Sequence, residues 1–228
     1  MDGIACVHLT DIAFRTWALI YWDVDKDGYI NQEEALIARN LNNTSVNNEY
    51  GIKFDLADFR ELVNASWNGT PFIGSAKKVY IGQQLRTTMS NTSIVNNSSL
   101  EYFNTEWSNL TTIGHTNFNN CIRLKEFVSG DALETVEHYV FKNCTSLVKV
   151  RLGSGLKSLQ RQTFAGCSAL AELYIKAEIP PEIGSIGGGT FLVNSPKCKI
   201  YVPQQSVNTY GTATNWVQYA NRIYGYEF

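Results

Sequence analysis

The chain has 228 residues and a formal net charge of −2, enough length for one large domain or a row of smaller elements. Charged residues are 18% of it, below the usual ~25%, so Asn, Ser and Thr supply much of the polar surface. No basic patch points to nucleic acid, and no apolar run reaches the ~18 residues of a spanning helix.

At the amino terminus, Met1-Asp2-Gly3 leads straight into folded-looking sequence, so no leader is read there. That fits a cytoplasmic protein or a mature domain without its leader. Residues 10–22 read as a helix with a mixed apolar face, and Glu33 to about Leu41 as a second. Between them, Asp23-x-Asp25-x-Asp27-Gly28-Tyr29-Ile30-Asn31-x-x-Glu34 fits the EF-hand calcium loop. Hard Ca²⁺ takes six to eight oxygens. Asp23, Asp25 and Asp27 each offer a carboxylate, and Tyr29 its backbone carbonyl. Asn31 acts directly or through water, Glu34 closes the shell with two oxygens, and Gly28 permits the sharp turn. An acidic turn without metal would not need the Gly, Ile and Glu spacing. No second loop of this kind occurs, so the expected calcium is a structural staple for the helices of residues 1–45, not a switch.

Residues 46–93 read as a connector or amino-terminal cap. Asp58 to Val63 is expected as a short helix, Lys78 to Ile81 as a strand, and Thr87 to Asn97 as irregular.

From there the chain repeats. Phe118-x-x-Cys121-x-x-Leu124, Phe141-x-x-Cys144-x-x-Leu147 and Phe164-x-x-Cys167-x-x-Leu170 follow one another at steps of 23 residues. The columns Leu110, Leu133, Leu156 and Ile113, Val136, Leu159 keep that step. A fixed period in this range marks a solenoid, in which each coil buries its apolar face against its neighbours. Ile94 to Leu100 is a degenerate first copy at an offset of 24, with Asn97 where the others carry Cys. Within one coil, Leu147 to Leu152 alternates and reads as a strand, Gly153-Ser154-Gly155 turns the chain, and Leu156 to Leu159 is a second extended piece. Arg161 to Phe164 is expected as a helical turn. About four coils are expected. Side chains in one column point in parallel, so three cysteines cannot pair; they read as small buried apolar groups.

The last coil is interrupted by Ile179-Pro180-Pro181 and by Gly187-Gly188-Gly189. Lys199 to Pro203 reads as the closing strand. From about residue 204 the tail carries Tyr210, Trp216, Tyr219, Ile223 and Tyr224, an aromatic cap for the open end of the core.

The pattern Leu-x-x-Leu-x-Leu, Leu-x-x-Ile, Phe-x-x-Cys-x-x-Leu resembles the BspA-type leucine-rich repeat. The endings Lys176 to Pro181 and Ile200-Tyr201-Val202-Pro203, with Tyr210 and Trp216, resemble that family as found in gut Bacteroidetes, and the Leu100 to Ile113 segment resembles its entry. The likeness covers roughly residues 94–228. It implies an α+β chain dominated by a right-handed leucine-rich solenoid, and a secreted or surface-attached protein that binds other molecules. The family has no shared catalytic residues to carry over.

The residues agree that no enzyme is expected. No nucleophile motif, phosphate loop or His-rich cluster appears. The outward strand positions pair Glu126, Lys149 and Glu172 in a column of alternating sign, which favours strand pairing by itself. Val128, Arg151 and Tyr174 form a mixed outward column, and with Lys149 they are the candidate partner-binding residues, since exposed Arg and Tyr are common interface anchors. His115, His138 and Arg161 share another column, a basic stripe or merely a tolerant exposed position. Asn64, Asn68, Asn91, Asn109 and Asn143 open Asn-x-Ser/Thr sequons, which in a eukaryotic secreted chain could carry glycans and in a bacterial chain are composition. The expected function is monomeric binding of a host or neighbouring-cell protein at the cell surface. The alternative is a glycan-binding accessory protein. That role would expose two or more of Trp17, Trp22, Trp67, Trp107 and Trp216 on one face.

Overall fold

The computed structural model describes residues 19, 25–29, 56–59, 77–81, 88–89, 91, 94–184 and 197–228. The expected second helix, Asp23, Asn31, Glu34, Trp17, Trp22 and Trp67 lie outside the described residues, as does the expected first helix apart from Leu19. Leu19 is helical and packs against the core.

Two parallel sheets run the length of the described chain. The larger has eight strands: β1 (Leu56–Phe59), β2 (Lys78–Ile81), β4 (Tyr102–Thr105), β6 (Glu126–Ser129), β8 (Lys149–Leu152), β10 (Glu172–Ile175), β12 (Lys199–Pro203) and β13 (Ile223–Tyr226), paired in that order. The smaller is built from two-residue strands: β3 (Thr88–Met89), β5 (Thr112–Ile113), β7 (Thr135–Val136), β9 (Ser158–Leu159) and β11 (Glu182–Ile183). Every strand pair is one coil apart, as in Glu126↔Lys149↔Glu172 and Thr112↔Thr135↔Ser158.

The five coils that begin with β2, β4, β6, β8 and β10 each contribute a long strand, a short strand and a connecting segment. The turns stack through the backbone as well: the Phe118 N–H donates to the Val140 carbonyl at 2.8 Å and the Phe141 N–H to that of Thr163 at 2.9 Å. Inside them the Phe column forms a stack, Phe118 on Phe141 at 5.2 Å and Phe141 on Phe164 at 5.4 Å. All three rings are wholly buried, which is worth ~1.5–3 kcal/mol each.

The cysteine column is present and reduced. Each thiol is buried and also donates a hydrogen bond to the coil before it, Cys121 to the Ile94 carbonyl, Cys144 to that of Phe118 and Cys167 to that of Phe141, at 3.0–3.1 Å. The residues therefore do more than fill space: they satisfy buried carbonyls. Burial pushes the Cys121 thiol up to about 12 and the Cys144 thiol well above its ordinary value. Asn97, in the degenerate first copy, turns its amide oxygen onto its own turn and accepts the Ser99 and Leu100 N–H groups at 2.9 Å.

The rungs outnumber the four expected, because β2 and β3 precede residue 94 and bury Val79, Ile81 and Met89 in the common core. Leu56–Phe59 is a strand where a helix was expected from Asp58; parallel pairing with β2 overrides local propensity. Thr88–Met89 is a strand within the stretch expected as irregular. Arg161 to Phe164 is not helical: Gln162 has φ 54°, in register with Thr116 at 57° and Tyr139 at 61°, so each coil makes the same left-handed turn there. Lys199–Pro203 does not close the sheet, since β13 adds one further rung.

The cap forms as expected from Tyr210, Trp216 and Tyr219, all buried, around a short α-helix, Val207–Thr212. The Tyr210 hydroxyl donates to the Ala177 carbonyl and the Trp216 indole N–H to that of Pro181, both at 2.8 Å. These bonds satisfy carbonyls that the last coil would otherwise leave unpaired. Tyr224 is the exception, exposed on the outer face of the sheet.

Candidate partner-binding surface

The outer face of the eight-stranded sheet carries two rows of side chains. Register places Tyr102, Glu126, Lys149, Glu172 and Lys199 in one row. The other holds Tyr80, Asn104, Val128, Arg151, Tyr174, Tyr201 and Tyr224. In the middle, charges pair across coils. Lys149 Nζ lies 3.0 Å from Glu172 Oε2, and Arg151 Nε 3.4 Å from Glu126 Oε1. Pairs this exposed are worth at most ~1 kcal/mol in stability, but they hold each long side chain in one place. Lys125 and Glu101 add a 2.7 Å bridge on a neighbouring row, and that hydrogen bond holds the Glu101 carboxyl below its usual range.

Both ends of this face are aromatic. Towards the amino terminus, Tyr80 meets Tyr102 at 5.4 Å and the exposed Trp107 at 6.2 Å. Towards the carboxy terminus, Tyr174 stacks on Tyr201 at 4.6 Å and meets Tyr226 edge-on at 5.1 Å, with Phe228 beyond. Lys149 and Arg151 both sit over the Tyr174 ring, the guanidinium 5.3 Å from its centre.

Of the four residues read from sequence as a binding column, the structure exposes two. Lys149 and Arg151 reach solvent; Val128 and Tyr174 are only 8% and 9% exposed. Tyr174 is covered because residues some fifty positions later in the chain, Tyr226 and Phe228, fold back over it. Burial, with the Glu172 carboxylate beside it, raises its phenol to about 12. The exposed aromatic groups here are instead Trp107, Tyr224, Tyr226 and Phe228, none of which the repeat columns marked. For Tyr224, Tyr226 and Phe228 the signal was the run of aromatics in the tail, read there as cap. Trp216 is buried, so the described tryptophans do not form a platform.

On the turn side, His115 and His138 stack at 5.1 Å with nearly parallel rings. Arg161 does not extend that stack; its guanidinium lies over Tyr139. A second column there passed unread in the sequence. Asn96, Asn120 and Asn143 all have φ 61°, and their amides link in series: Asn120 donates to Asn96 and Asn143 to Asn120, each at 3.0 Å. Gly166 occupies the next step at φ 79°, where a Cβ would lie 2.4 Å from the Asn143 amide oxygen. The Asn143 sequon is thus part of a structural ladder.

In the amino-terminal loop, residues 25–29 are exposed. Gly28 has φ 86°; Asp27 accepts the Tyr29 N–H at 2.9 Å and Asp25 the Asp27 N–H at 3.2 Å. Among the described residues no group of three or more His, Cys, Asp or Glu is arranged to hold a metal, and no helix is long and apolar enough to cross a membrane.

A model of the family described as BspA type leucine rich repeat region matches residues 87–214 in six copies. No curated protein matches the chain. Among solved structures, the chain is similar to the crystal structure of a T. pallidum leucine rich repeat protein, at 18% identity and a TM-score of 0.48. That likeness covers 68% of this chain and 65% of the other.

Proposed function

Because the chain belongs to the BspA-type leucine-rich repeat family, we propose that it is a non-enzymatic binding protein, secreted or held at a cell surface, whose partner is a host or neighbouring-cell protein. The carrying observation is the outer face of the long sheet, where Arg151 and Lys149 are fixed by ion pairs between two aromatic ends. Arg and Tyr in fixed rotamers lose little entropy on binding, and they anchor most protein interfaces. The test is a pull-down against host matrix proteins, followed by titration of whichever binds. Arg151→Ala with Lys149→Ala should weaken the complex by ~1–4 kcal/mol with the melting temperature nearly unchanged. Equal affinity in that double variant would move the site off the strand face. Tyr174→Ala is no clean probe, since its ring packs under Tyr226 and Phe228.

The reading extends to a structural calcium held by Asp23, Asp25, Asp27, the Tyr29 carbonyl, Asn31 and Glu34. Gly28 at φ 86° supports it, because an EF-hand loop needs that turn at that position, and Asp25 and Asp27 fold back onto N–H groups of the same loop. The ion would supply charge balance for the four carboxylates of that loop and nothing catalytic. Millimolar Ca²⁺ should raise the melting temperature of the full chain, and Asp27→Ala or Glu34→Ala should abolish the rise. An unchanged melting curve would dismiss the calcium.

A further inference from the structure

Beside the strand face, at its carboxy-terminal aromatic end, lies an open cleft of about 910 Å³. Its walls are the turn Ser154–Lys157, the segment Lys176–Glu182 and the end of β13. Three apolar groups project into or beside it: Ile179 at 80% exposed, Phe228 at 51% and Tyr226 at 40%. Folding gives no reason to leave three such groups bare along one concavity. The lining also carries planar polar groups already held in place. Gln205 Nε2 donates to Glu178 Oε1 at 3.0 Å, which fixes an amide and a carboxylate side by side.

The charge around the cleft leans acidic. Its two lysines are bound to carboxylates of earlier coils, Lys157 to Glu134 at 2.7 Å and Lys176 to Asp131 at 3.1 Å. The Ser154 N–H and Lys176 in turn hold the Asp131 carboxyl below its usual range. Against them stand Glu178, Glu182 and Glu227 on the lining. No cationic excess remains to select phosphate or sulfate, and no dense acidic field to select a polycation.

Exposed ring and alkyl faces, a fixed amide and carboxylate, lysines already paired and an open mouth together suit a neutral sugar chain. A pyranose ring has an apolar C–H face that lies against an aromatic ring. Its rim carries adjacent hydroxyls, each able to donate and accept at once. A carboxylate beside an amide presents acceptors and donors to match them. The volume lies within the range of small-ligand sites. We infer that this cleft binds a short neutral oligosaccharide, with Tyr226 and Phe228 as the stacking surface and Glu178 with Gln205 as the hydroxyl readers. The cleft meets the strand face at Tyr226 and Phe228, so a glycan held there and a protein on the Arg151 row would share that edge.

The test uses the full chain and saturation-transfer-difference NMR. The probes are α1,4-, β1,4- and β1,3-linked glucose trisaccharides, β1,4-xylotriose, a galacturonate trisaccharide and a proline-rich peptide, each at about 1 mM, where millimolar affinity is visible. At least one neutral trisaccharide should receive saturation from the aromatic protons. Phe228→Ala and Glu178→Ala should each cut that signal about tenfold. Both side chains are exposed or border solvent, so unchanged melting curves are expected for both, and Arg151→Ala should leave the sugar signal intact. No signal from any neutral sugar overturns the inference. So does a signal that survives both variants, or one given only by the galacturonate or the peptide.

Discussion

The two faces of the long strands follow different rules. Inward, the register runs Val79, Phe103, Phe127, Val150, Leu173, Ile200, all apolar and wholly buried. Outward, one residue along, it runs Tyr80, Asn104, Val128, Arg151, Tyr174, Tyr201. The inner row must fit the coil above and below, so it varies only in size. The outer row answers to solvent or a partner, so it varies in kind. In this molecule, regularity marks what holds the coils together and irregularity marks what they can present.

That contrast can be broken experimentally. Phe141→Ala should have the largest effect. It opens a hole between Phe118 and Phe164 and should lower the unfolding free energy by ~3–5 kcal/mol in denaturant titration. A loss under ~1 kcal/mol would mean that the turn stack contributes little. Asn120→Ala comes next, at ~1–2 kcal/mol, since it puts a residue poorly suited to φ 61° into the ladder and removes two amide bonds. Asn120→Gly separates the two causes; if it is as damaging as Ala, the amides matter and the backbone does not. Arg151→Ala, on the outer row, should stay within ~1 kcal/mol of the parent. A larger loss would show the outer row to be structural.

The smallest effect concerns acid. The Asp131 carboxyl is held below its usual range in the folded chain, so its contribution is present above the unfolded value of ~3.9 and is lost as pH falls below it. Asp131→Asn should therefore flatten the decline in melting temperature between about pH 5 and 3, compared with the parent. Parallel curves would assign the decline to other carboxylates.

Much of the repeat region was legible because the step from coil to coil holds at 23 residues over the Phe, Cys and Leu columns. β2 was legible too, as a short β-branched run between polar stretches. The coils before residue 94 were not, because the register there drifts to 24, as in Thr88↔Thr112. A two-residue strand such as Thr88–Met89 also carries no periodicity of its own. The candidate surface was legible in part. Arg151 and Lys149 stand where alternation predicts. The burial of Tyr174 depends on β13, far along the chain, and local pattern holds no trace of that contact. The Asn96, Asn120, Asn143, Gly166 column was visible in the letters; what it needed was recognition that Asn and Gly share tolerance of left-handed backbone.

The alternating row Glu126, Lys149, Glu172 also constrains how such a chain can change length. Coils touch only their neighbours, so excising residues 149–171 would splice one turn of the spiral to the next with every apolar column intact. Yet the splice would set Glu126 directly against Glu172, like charge on like, while removing two coils would restore opposite signs. Through this stretch the core permits loss by single coils, while the charges on its outer wall favour even numbers.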